Sequence, residues 1–308
     1  MTLLQSVRMA KPGLMIVITG PTASGKSALA VDVARRLSAE IISADSRQIY
    51  HGIPIVTAMP TDEERRAVRH HLVDMLPLDA YYSASQFEHD ALDLGRCLMA
   101  RDGVCVVCGG SMMYVDALCN GIDEIPTVPP EVRTALMTDY MASGDEWLWR
   151  RLRELDPVSY GRIDLRNIKR VFHAVEVSLA SGRPYSSLLT GERRKRDFRI
   201  LKFGLSAPRE VLFSRINSRV ERMVADGLLE EARRVWPMRH LNSLNTVGLK
   251  EMFAYIDGSM GFDEAVARIQ KNTRVYAKKQ LTWFKRDDTM EWLDITEGCL
   301  ADKITGRI

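Results

Sequence analysis

The sequence predicts an α/β fold in which a parallel sheet is flanked by helices and interrupted by an all-helical insertion. Short apolar runs typical of buried strands, such as residues 14–19 and 104–108, alternate with amphipathic segments typical of helices. Between residues 120 and 195 the strand pattern disappears and only helical segments remain. We therefore expect a core domain formed by residues 1–119 and 196–308, with residues 120–195 as the insertion.

A phosphate-binding loop links the first predicted strand to the first predicted helix. Residues 20–27 match the G-x-x-x-x-G-K-[ST] pattern in the strand-to-helix setting that this pattern requires. Its glycines let backbone N–H groups point into one anion-sized hollow, and the following helix adds its positive N-terminal end. Lys26 can then reach the outer phosphate, and the Ser27 hydroxyl can hold Mg²⁺. The sequence thus predicts a P-loop NTPase-like core that binds a di- or triphosphate through Gly20, Pro21, Thr22, Ala23, Ser24, Gly25, Lys26 and Ser27.

Two further predicted strands end in residues that bear on the chemistry. Asp45 follows the strand predicted at residues 40–44, and since parallel strands end at one edge of a sheet, we expect Asp45 beside the phosphate loop. The strand at residues 104–108 ends in Gly109 and Gly110, where phosphate-loop kinases and ATPases usually carry an Asp that supports Mg²⁺. This disfavours substrate phosphorylation. We expect the two glycines to let a ligand approach the backbone closely.

Several predicted helices carry clusters of basic residues. Arg215, Arg219 and Arg222 fall on one side of the helical region at residues 209–235. The helix at residues 263–284 interleaves cations with aromatic residues, a pattern suited to a nucleic-acid backbone and its bases. A basic outer face on a core helix explains the same pattern. The insertion is also rich in arginine and lysine, and a solvated helix face explains each of these residues taken singly.

Composition and charge exclude several classes of protein. The chain has 308 residues, 46% of them hydrophobic, and a net charge of +3. It can therefore bury a large core, and its charge neither requires nor excludes a polyanionic partner. No stretch approaches the roughly 18 apolar residues of a membrane span, and the first residues lack a signal-peptide pattern. We expect no membrane association and a cytoplasmic location.

The cysteines and the adjacent histidines do not predict a metal site. Cys105 and Cys108 have the C-x-x-C spacing, but a strand places residues three apart on opposite faces. The 5 cysteines are an odd number in mostly apolar surroundings, which is typical of reduced thiols. His70 and His71 are neighbours and cannot face one metal from a regular element, so we expect packing and hydrogen-bonding roles for them.

Taken together, these motifs resemble those of the bacterial tRNA dimethylallyltransferases, also called tRNA isopentenyltransferases or the IPP transferase family. The matching segments extend nearly from end to end of the chain, and their combination is specific to this family among phosphate-loop proteins. They are residues 20–27, 43–50, 70–74, 109–111, 167–176, 219, 227–231, 247–251 and 276–284.

The resemblance implies transfer of a dimethylallyl group from dimethylallyl diphosphate to the exocyclic N6 amine of the adenosine 3′ of the anticodon. The tRNAs concerned read codons that begin with U, and diphosphate is released. The expected partners are the tRNA anticodon stem-loop and dimethylallyl diphosphate, the expected cofactor is Mg²⁺, and a monomer is expected. In this reaction the nucleotide-binding, ATP-type loop holds a leaving diphosphate, which accounts for the missing strand-end Asp.

The resemblance also implies roles for individual residues. Lys26 and Arg219 would neutralise the departing diphosphate, with Ser27 as the metal ligand. Asp45 would accept a hydrogen bond or a proton from the adenine amine, which is a poor nucleophile that depends on orientation. Ser111 stands where the family has Thr, and its hydroxyl would touch the bridging oxygen and the base. The catalytic set is therefore Asp45, Ser111, Lys26 and Arg219.

The tRNA contacts implied by the resemblance come from three segments of the chain. A stacked base must be extruded to reach a buried pocket, and residues 45–48 would contact the flipped nucleotide. Residues 278–286 would grip the tRNA backbone. The full set of expected tRNA-binding residues is Asp45, Ser46, Arg47, Gln48, Lys169, Arg170, Val171, Phe172, His173, Val247, Gly248, Leu249 and Lys250.

The sequence departs from the family pattern at several positions. Met112 and Val56 stand where the pattern has glycine, Met59 where it has lysine, and His173 where it has arginine. Met112 and Val56 add side chains where the family pattern leaves the backbone bare, which narrows the space there. Met59 and His173 remove fixed positive charge. These changes bear on the tRNA contacts and on the fit of the prenyl donor more than on the reaction.

Three alternatives stay open on the sequence alone. An adenylate isopentenyltransferase of the cytokinin type would prenylate free adenine nucleotides, although a mononucleotide does not need a basic helical insertion. A small-molecule kinase would use the same phosphate loop. A nucleic-acid-binding protein that retains nucleotide binding without catalysis is the third.

Overall fold

A computed structural model describes residues 12–308 of the chain. The sequence predicts a tail at residues 1–13, and residues 1–11 of it lie outside the described residues. The chain divides into two compact units: residues 12–120 together with Lys195–Ile308 form the core unit, and Gly121–Arg194 form the helical unit. The sequence placed the boundaries of the insertion at residues 120 and 195.

The core unit is built on a six-stranded sheet whose neighbouring strands are all parallel. Along the sheet the strands follow the order β3-β2-β4-β1-β5-β6. The α/β class and the parallel sheet are confirmed. Because all six strands run the same way, their carboxyl ends meet at one edge, where working residues of such sheets gather. The strands are β1 Leu14–Thr19, β2 Ile41–Ser43, β3 His70–His71, β4 Val104–Gly109, β5 Arg199–Ser206 and β6 Glu291–Asp294.

Fourteen helices lie within the described residues. Five precede the helical unit: α1 Lys26–Leu37, α2 Pro54–Thr57, α3 Asp62–Ala67, α4 Ala84–Asp102 and α5 Met112–Asn120. Four form it: α6 Pro130–Leu155, α7 Pro157–Arg162, α8 Ile168–Ser181 and α9 Tyr185–Leu188. Five follow it: α10 Arg209–Ala225, α11 Leu228–Val235, α12 Leu249–Ile256, α13 Phe262–Phe284 and α14 Leu300–Thr305. None of these helices is both long enough and apolar enough to span a bilayer.

Apolar side chains alternate across β1 and β4 to fill the two faces of the sheet. Met15 and Cys105 belong to the layer that packs under α4, whereas Ile16 and Cys108 belong to the layer on the α1 side. The two cysteines therefore face opposite sides of the sheet, as their spacing predicts. Residues buried on both faces are typical of a parallel sheet covered by helices.

The structure differs from the sequence prediction at one very short strand and at residues that begin or end helices. The strand β3 has only two residues and was not predicted. The helical region expected at residues 209–235 is two helices, because Gly227 adopts φ +100°, a left-handed conformation that an ordinary helix residue does not take. The sequence predicts a helix over residues 87–100, and the helix α4 begins earlier, at Ala84, since Ser83 and Gln86 form a reciprocal capping box at its start.

The helical unit has a small core of its own. Leu136, Leu148 and Leu152 of α6 pack against Val171 and Phe172 of α8. Gly144 interrupts α6 with φ +74°, so the long helix consists of two helical parts that meet at this residue.

Candidate active site

The phosphate loop has the backbone geometry of an anion cradle. Gly20 has φ +147°, and a Cβ atom there would lie 3.0 Å from the Leu205 carbonyl oxygen, so the loop turns against β5 without a side chain. Gly25 has φ +85° and immediately precedes the first turn of α1. The Oγ atom of Ser24 is buried and has no hydrogen-bond partner among the described residues. A buried hydroxyl without a partner is unusual and marks a place that a ligand can complete.

A cavity of about 310 Å³ opens beside this loop. Eight residues of the expected site line it, among them Thr22 of the loop, Asp45 after β2, Ser111 after β4 and Arg219 of α10. The structure thus brings together side chains that are far apart in the sequence. Its wall also includes Ser46, Arg47, Val56, Thr57, Val220, Met223, Asn245, Thr246, Val247, Lys250, Ile269, Thr273 and Tyr276.

A second, smaller cavity of about 80 Å³ lies between this one and the phosphate loop. Lys26, Ser27 and Cys108 line it, and it shares Asp45 and Arg219 with the larger cavity. On the outer side, Lys26 and Ser27 also border an open groove of about 1000 Å³ together with the basic face of α10, which consists of Arg215, Arg219 and Arg222. Residues of the anion cradle and Asp45 therefore line the same small cavity.

The two cations of the cradle are partly removed from water. Burial lowers the pKa of Lys26, an effect that Cys108 and Asp45 oppose and the positive charge of Arg219 reinforces. Burial also lowers the pKa of Arg219, while Asp45 raises it. Arg219 donates from Nη1 to the Thr22 hydroxyl at 3.1 Å, and Lys26 donates from Nζ to the Pro21 carbonyl oxygen at 3.4 Å. Desolvated cations held close together stabilise a bound anion strongly.

Asp45 and Tyr276 face the same space from different elements. Asp45 accepts a hydrogen bond at Oδ1 from the backbone N–H of Arg47 at 2.9 Å, which fixes the carboxylate on its turn. Burial, reinforced by the negative charge of Asp45, raises the pKa of Tyr276 to about 12. The Tyr276 hydroxyl is therefore protonated at neutral pH and can donate a hydrogen bond.

Comparisons with known proteins agree with this geometry. The family model described as IPP transferase matches residues 48–287. The chain belongs to the IPP transferase family. The chain is 50% identical over 278 residues to tRNA dimethylallyltransferase 2 of Parabacteroides distasonis, covering 90% of this chain and 93% of that relative. It is 51% identical over 278 residues to tRNA dimethylallyltransferase 2 of Porphyromonas gingivalis, with the same coverage.

A solved structure gives the same result. The crystal structure of the tRNA isopentenylpyrophosphate transferase of Bacillus halodurans superimposes with a TM-score of 0.68 at 33% sequence identity. The match covers 96% of this chain and 94% of that one. The P-loop-like sheet and its flanking helices are thus shared with this IPP transferase.

Gly109, the last residue of β4, and Gly110 both serve the protein's own packing. Gly109 also lines the small cavity, so the expectation that a ligand can approach its backbone stays a prediction. A Cβ atom at Gly109 would lie 2.1 Å from the carbonyl oxygen of Ala44. A Cβ atom at Gly110 would lie 2.5 Å from Nε2 of Gln280. Both glycines let β4 approach neighbouring protein atoms, and this approach brings Ser111 beside the segment that carries Asp45.

Arg47 and Gln48, both expected to contact the flipped nucleotide, already have partners in the protein. Gln48 donates from Nε2 to the carbonyl oxygens of Thr57 and Ala58 at 3.2 and 3.0 Å, and its Oε1 accepts from the Ser43 hydroxyl at 3.0 Å. Arg47 donates to carbonyl oxygens of the 242–245 loop. Both side chains hold the walls of the large cavity in place.

The expected tRNA-contacting segment at residues 247–250 divides into two pairs. Val247 and Lys250 line the large cavity. Gly248 and Leu249 are buried, and a Cβ atom on Gly248 would lie 2.5 Å from Cγ2 of Val56. We expected Gly248 and Leu249 to contact tRNA together with Val247 and Lys250. For Gly248 and Leu249 this expectation is wrong, because the two residues pack inside the core unit.

A similar division holds in the helical unit. Lys169 and Arg170 are exposed on α8 and available to a ligand. Val171 and Phe172 are buried in the core of this unit, so their expected tRNA contacts are wrong. His173 is half-exposed, and its Nδ1 lies 2.9 Å from the buried carboxylate of Glu176.

Sequence reasoning missed the inner face of α13. Ile269, Thr273, Tyr276 and Gln280 follow one another at helical spacing and line the two cavities. The expectation for this helix rested on its outer cations, residues 278–286. The signal that was available is the position of Tyr276 and Gln280 four residues apart, on the face opposite the charged one.

Magnesium is the ion that the phosphate-loop pattern implies. Ser27 and Asp45 line the small cavity and supply hard oxygen donors. Mg²⁺ commonly takes one or two protein ligands and completes its octahedron with substrate phosphates and water. Burial raises the pKa of Cys108 to about 11, so its neutral thiol is not a competing ligand. Within residues 12–308 no three His, Cys, Asp or Glu side chains form a metal cage, and the residues present fit an ion shared with a substrate.

Proposed function

We propose that this IPP transferase transfers a dimethylallyl group from dimethylallyl diphosphate to N6 of the adenosine immediately 3′ of the anticodon. The observation that carries the proposal is that the phosphate-loop residues Lys26 and Ser27 line one small cavity together with Asp45, and that Asp45 also lines the larger cavity with Ser111 and Arg219. A donor bound by its diphosphate in the cradle then presents its allylic carbon to an amine held by the carboxylate. The family to which the chain belongs supports the same reaction.

The donor side of the reaction is a displacement at carbon. The N6 lone pair forms the new C–N bond while the bond from the allylic carbon to the bridging oxygen breaks, and diphosphate leaves with the electron pair. Lys26, Arg219 and the N–H groups of the loop stabilise the charge that develops on the leaving group, which in a desolvated site is usually the largest catalytic contribution. Mg²⁺ bound by Ser27 would supply further charge neutralisation.

The acceptor side depends on orientation and on a proton acceptor. An adenine N6 amine is a weak nucleophile, so holding it in line with the allylic carbon contributes much of the rate. Asp45 accepts the N6 proton as the amine is alkylated. Ser111, also on the wall of the cavity, donates its hydroxyl to the bridging oxygen or to the base. Because the cavity is recessed, the adenosine must leave its stack to enter it.

The tRNA contacts that we propose are those of exposed or cavity-lining residues. Ser46, Val247 and Lys250 lie at the cavity and would contact the flipped nucleotide and its flanking backbone. Lys169 and Arg170 are exposed cations and would contact phosphates of the stem-loop. We further propose that the enzyme acts as a cytoplasmic monomer on tRNAs that read codons beginning with U.

Purified protein tests the proposal directly. With Mg²⁺ and dimethylallyl diphosphate it is expected to modify a bare anticodon stem-loop, detected by mass spectrometry of the digested nucleosides. Prenylation of AMP with no modification of the stem-loop would replace the proposal with the adenylate isopentenyltransferase activity. Release of ADP from ATP in the presence of a small acceptor would replace it with a kinase.

A further inference from the structure

The side chain of Gln280 joins two segments of the active site. Its Oε1 atom accepts a hydrogen bond from the backbone N–H of Thr22 at 2.9 Å, and its Nε2 atom donates to the carbonyl oxygen of Gly110 at 2.8 Å. Thr22 belongs to the phosphate loop, and Gly110 immediately precedes Ser111. The residue projects from α13 and is 2% exposed.

These two bonds use Oε1 and one N–H group of Nε2, and they fix the orientation of the carboxamide. Oε1 faces the N–H group of Thr22, and Nε2 faces the carbonyl oxygen of Gly110. In the flipped orientation two donors would face each other at Thr22 and two acceptors at Gly110. The approach at Gly110 is so close that a Cβ atom there would lie 2.5 Å from Nε2. Among the twenty side chains, only a carboxamide of this length, or a protonated carboxylic acid of the same length, offers both an acceptor and a donor here.

We propose that Gln280 is a positioning residue that sets the distance between the diphosphate cradle and the Ser111 segment. This inference rests on the proposed function, since it assigns the donor to the cradle and the bridging oxygen to Ser111. Thr22 is held on its other side by Arg219, which donates to its hydroxyl. One side chain of α13 therefore ties the leaving-group site to the residues that face the acceptor.

The consequence is separable from folding and from substrate binding. Lys26 and Arg219 keep their own contacts with the phosphate loop without Gln280, so we expect diphosphate binding and stem-loop binding to be retained. The quantity that changes is the relative position of the two bound substrates. Misplacement of reacting atoms by about 1 Å costs about 100-fold in rate.

The first experiment compares Gln280→Met with wild type, using dimethylallyl diphosphate and the anticodon stem-loop. Methionine keeps the length and volume of glutamine but makes neither bond. We expect kcat to fall about 100-fold while KM for both substrates changes by less than about threefold. Gln270→Met, on the same helix and away from both cavities, is the matched control and keeps wild-type kcat.

The second experiment uses Gln280→Glu and the pH profile. The ionised carboxylate can accept from Thr22 but repels the Gly110 carbonyl oxygen, whereas the protonated acid restores both hydrogen bonds. Burial raises the pKa of the carboxyl group at position 280, and the cations Lys26 and Arg219, which line the same cavity, lower it. Activity relative to wild type is expected to rise at least about tenfold as the pH falls through this pKa, while Gln280→Met gives a flat ratio. Thermal melting at each pH reports the folded fraction.

The outcomes separate this inference from the function on which it rests. Failure of the wild-type protein to modify the stem-loop overturns the proposed function. Wild-type transfer together with an unchanged kcat in Gln280→Met overturns the positioning role alone. The inference is also overturned if the loss of activity in Gln280→Met disappears once activity is normalised to the folded fraction, and if the activity of Gln280→Glu relative to wild type does not change with pH. That result would assign Gln280 a purely structural role.

Discussion

Asp45 and Lys26 follow different strands, and their side chains nevertheless line the same small cavity. This placement follows from the parallel sheet, which brings the ends of β1 and β2 to one edge. Asp45 was predictable as a site residue because it directly follows a strand, and Lys26 because its loop has a sequence pattern. Cys108 also lines the cavity but carries no signal, since an apolar strand end is its ordinary setting.

The carboxylate of Asp45 is expected to be needed for transfer and not for binding. In Asp45→Asn the amide keeps the size of the side chain but cannot take up the N6 proton. We expect stem-loop affinity to stay within about threefold and kcat to fall at least about 100-fold, measured by filter binding and by single-turnover transfer. Asp93→Asn, an exposed residue of α4, is the control. A wild-type rate in Asp45→Asn would exclude Asp45 as the proton acceptor.

The lowered pKa of Lys26 links donor binding to protons. In the free enzyme burial disfavours the ammonium form, so the pKa lies below its usual 10.5; a bound diphosphate favours the ammonium form and raises the pKa again. Donor binding is therefore expected to take up protons in the pH window between these two pKa values, and donor affinity falls as pH rises through it. Calorimetry in two buffers with different ionisation enthalpies measures the uptake.

Lys26→Met provides the control for this linkage. Without a titrating ammonium group, donor binding is expected to be weaker and to take up no protons in the same window. Equal proton uptake in the two proteins would show that another group titrates on binding. Unchanged donor affinity in Lys26→Met would show that the phosphate loop does not bind the donor.

At the scale of elements, β1 and β4 were predictable because each is a short apolar run, and α1 because it is an amphipathic segment that directly follows the phosphate-loop pattern. The strand β3 was not, because two residues carry no period. The break between α10 and α11 depends on the conformation of Gly227, and the amphipathic pattern continues across it. The inner face of α13 escaped prediction for a different reason: its polar residues function through contacts with segments far away in sequence.

The close packing of β4 against the segment that carries Asp45 predicts that adding one methyl group at Gly109 strongly destabilises the protein. In Gly109→Ala the added Cβ atom would lie 2.1 Å from the Ala44 carbonyl oxygen, a backbone atom that cannot rotate away. We expect the free energy of unfolding to fall by about 3 kcal/mol or more, measured by urea titration. In Gly261→Ala nothing lies within 4 Å of the added atom, and the change is expected to stay under about 1 kcal/mol. Equal stability of the two variants would contradict this packing.

At the scale of the whole molecule, the class of the fold and the existence of a helical insertion were evident from the sequence. The composition of the large cavity was not. It is lined by α2, α10, the 242–250 loop and α13, and no local pattern states that these meet. The expected contacts of Val171, Phe172, Gly248 and Leu249 failed because a matching motif does not report which of its side chains are buried.

The exposed cations of α8 are expected to contribute to binding of the tRNA stem-loop and not to binding of dimethylallyl diphosphate. Replacing Lys169 and Arg170 together with alanine removes two phosphate contacts and lowers the salt dependence of stem-loop binding. We expect KM for the stem-loop to rise about tenfold at moderate salt, with KM for dimethylallyl diphosphate unchanged. Lys303→Ala, a cation of α14, is the matched control. An unchanged KM for the stem-loop would show that α8 does not contact it.

The measurement closest to the central claim is a single-turnover reaction with labelled dimethylallyl diphosphate and two matched stem-loops. One carries adenosine 3′ of the anticodon, and the other carries purine riboside, which lacks only the N6 amine. The account predicts one diphosphate released for each dimethylallyl group found on N6 of the first stem-loop, and no transfer to the second. Equal labelling of both stem-loops, or diphosphate release without labelling of either, would contradict it.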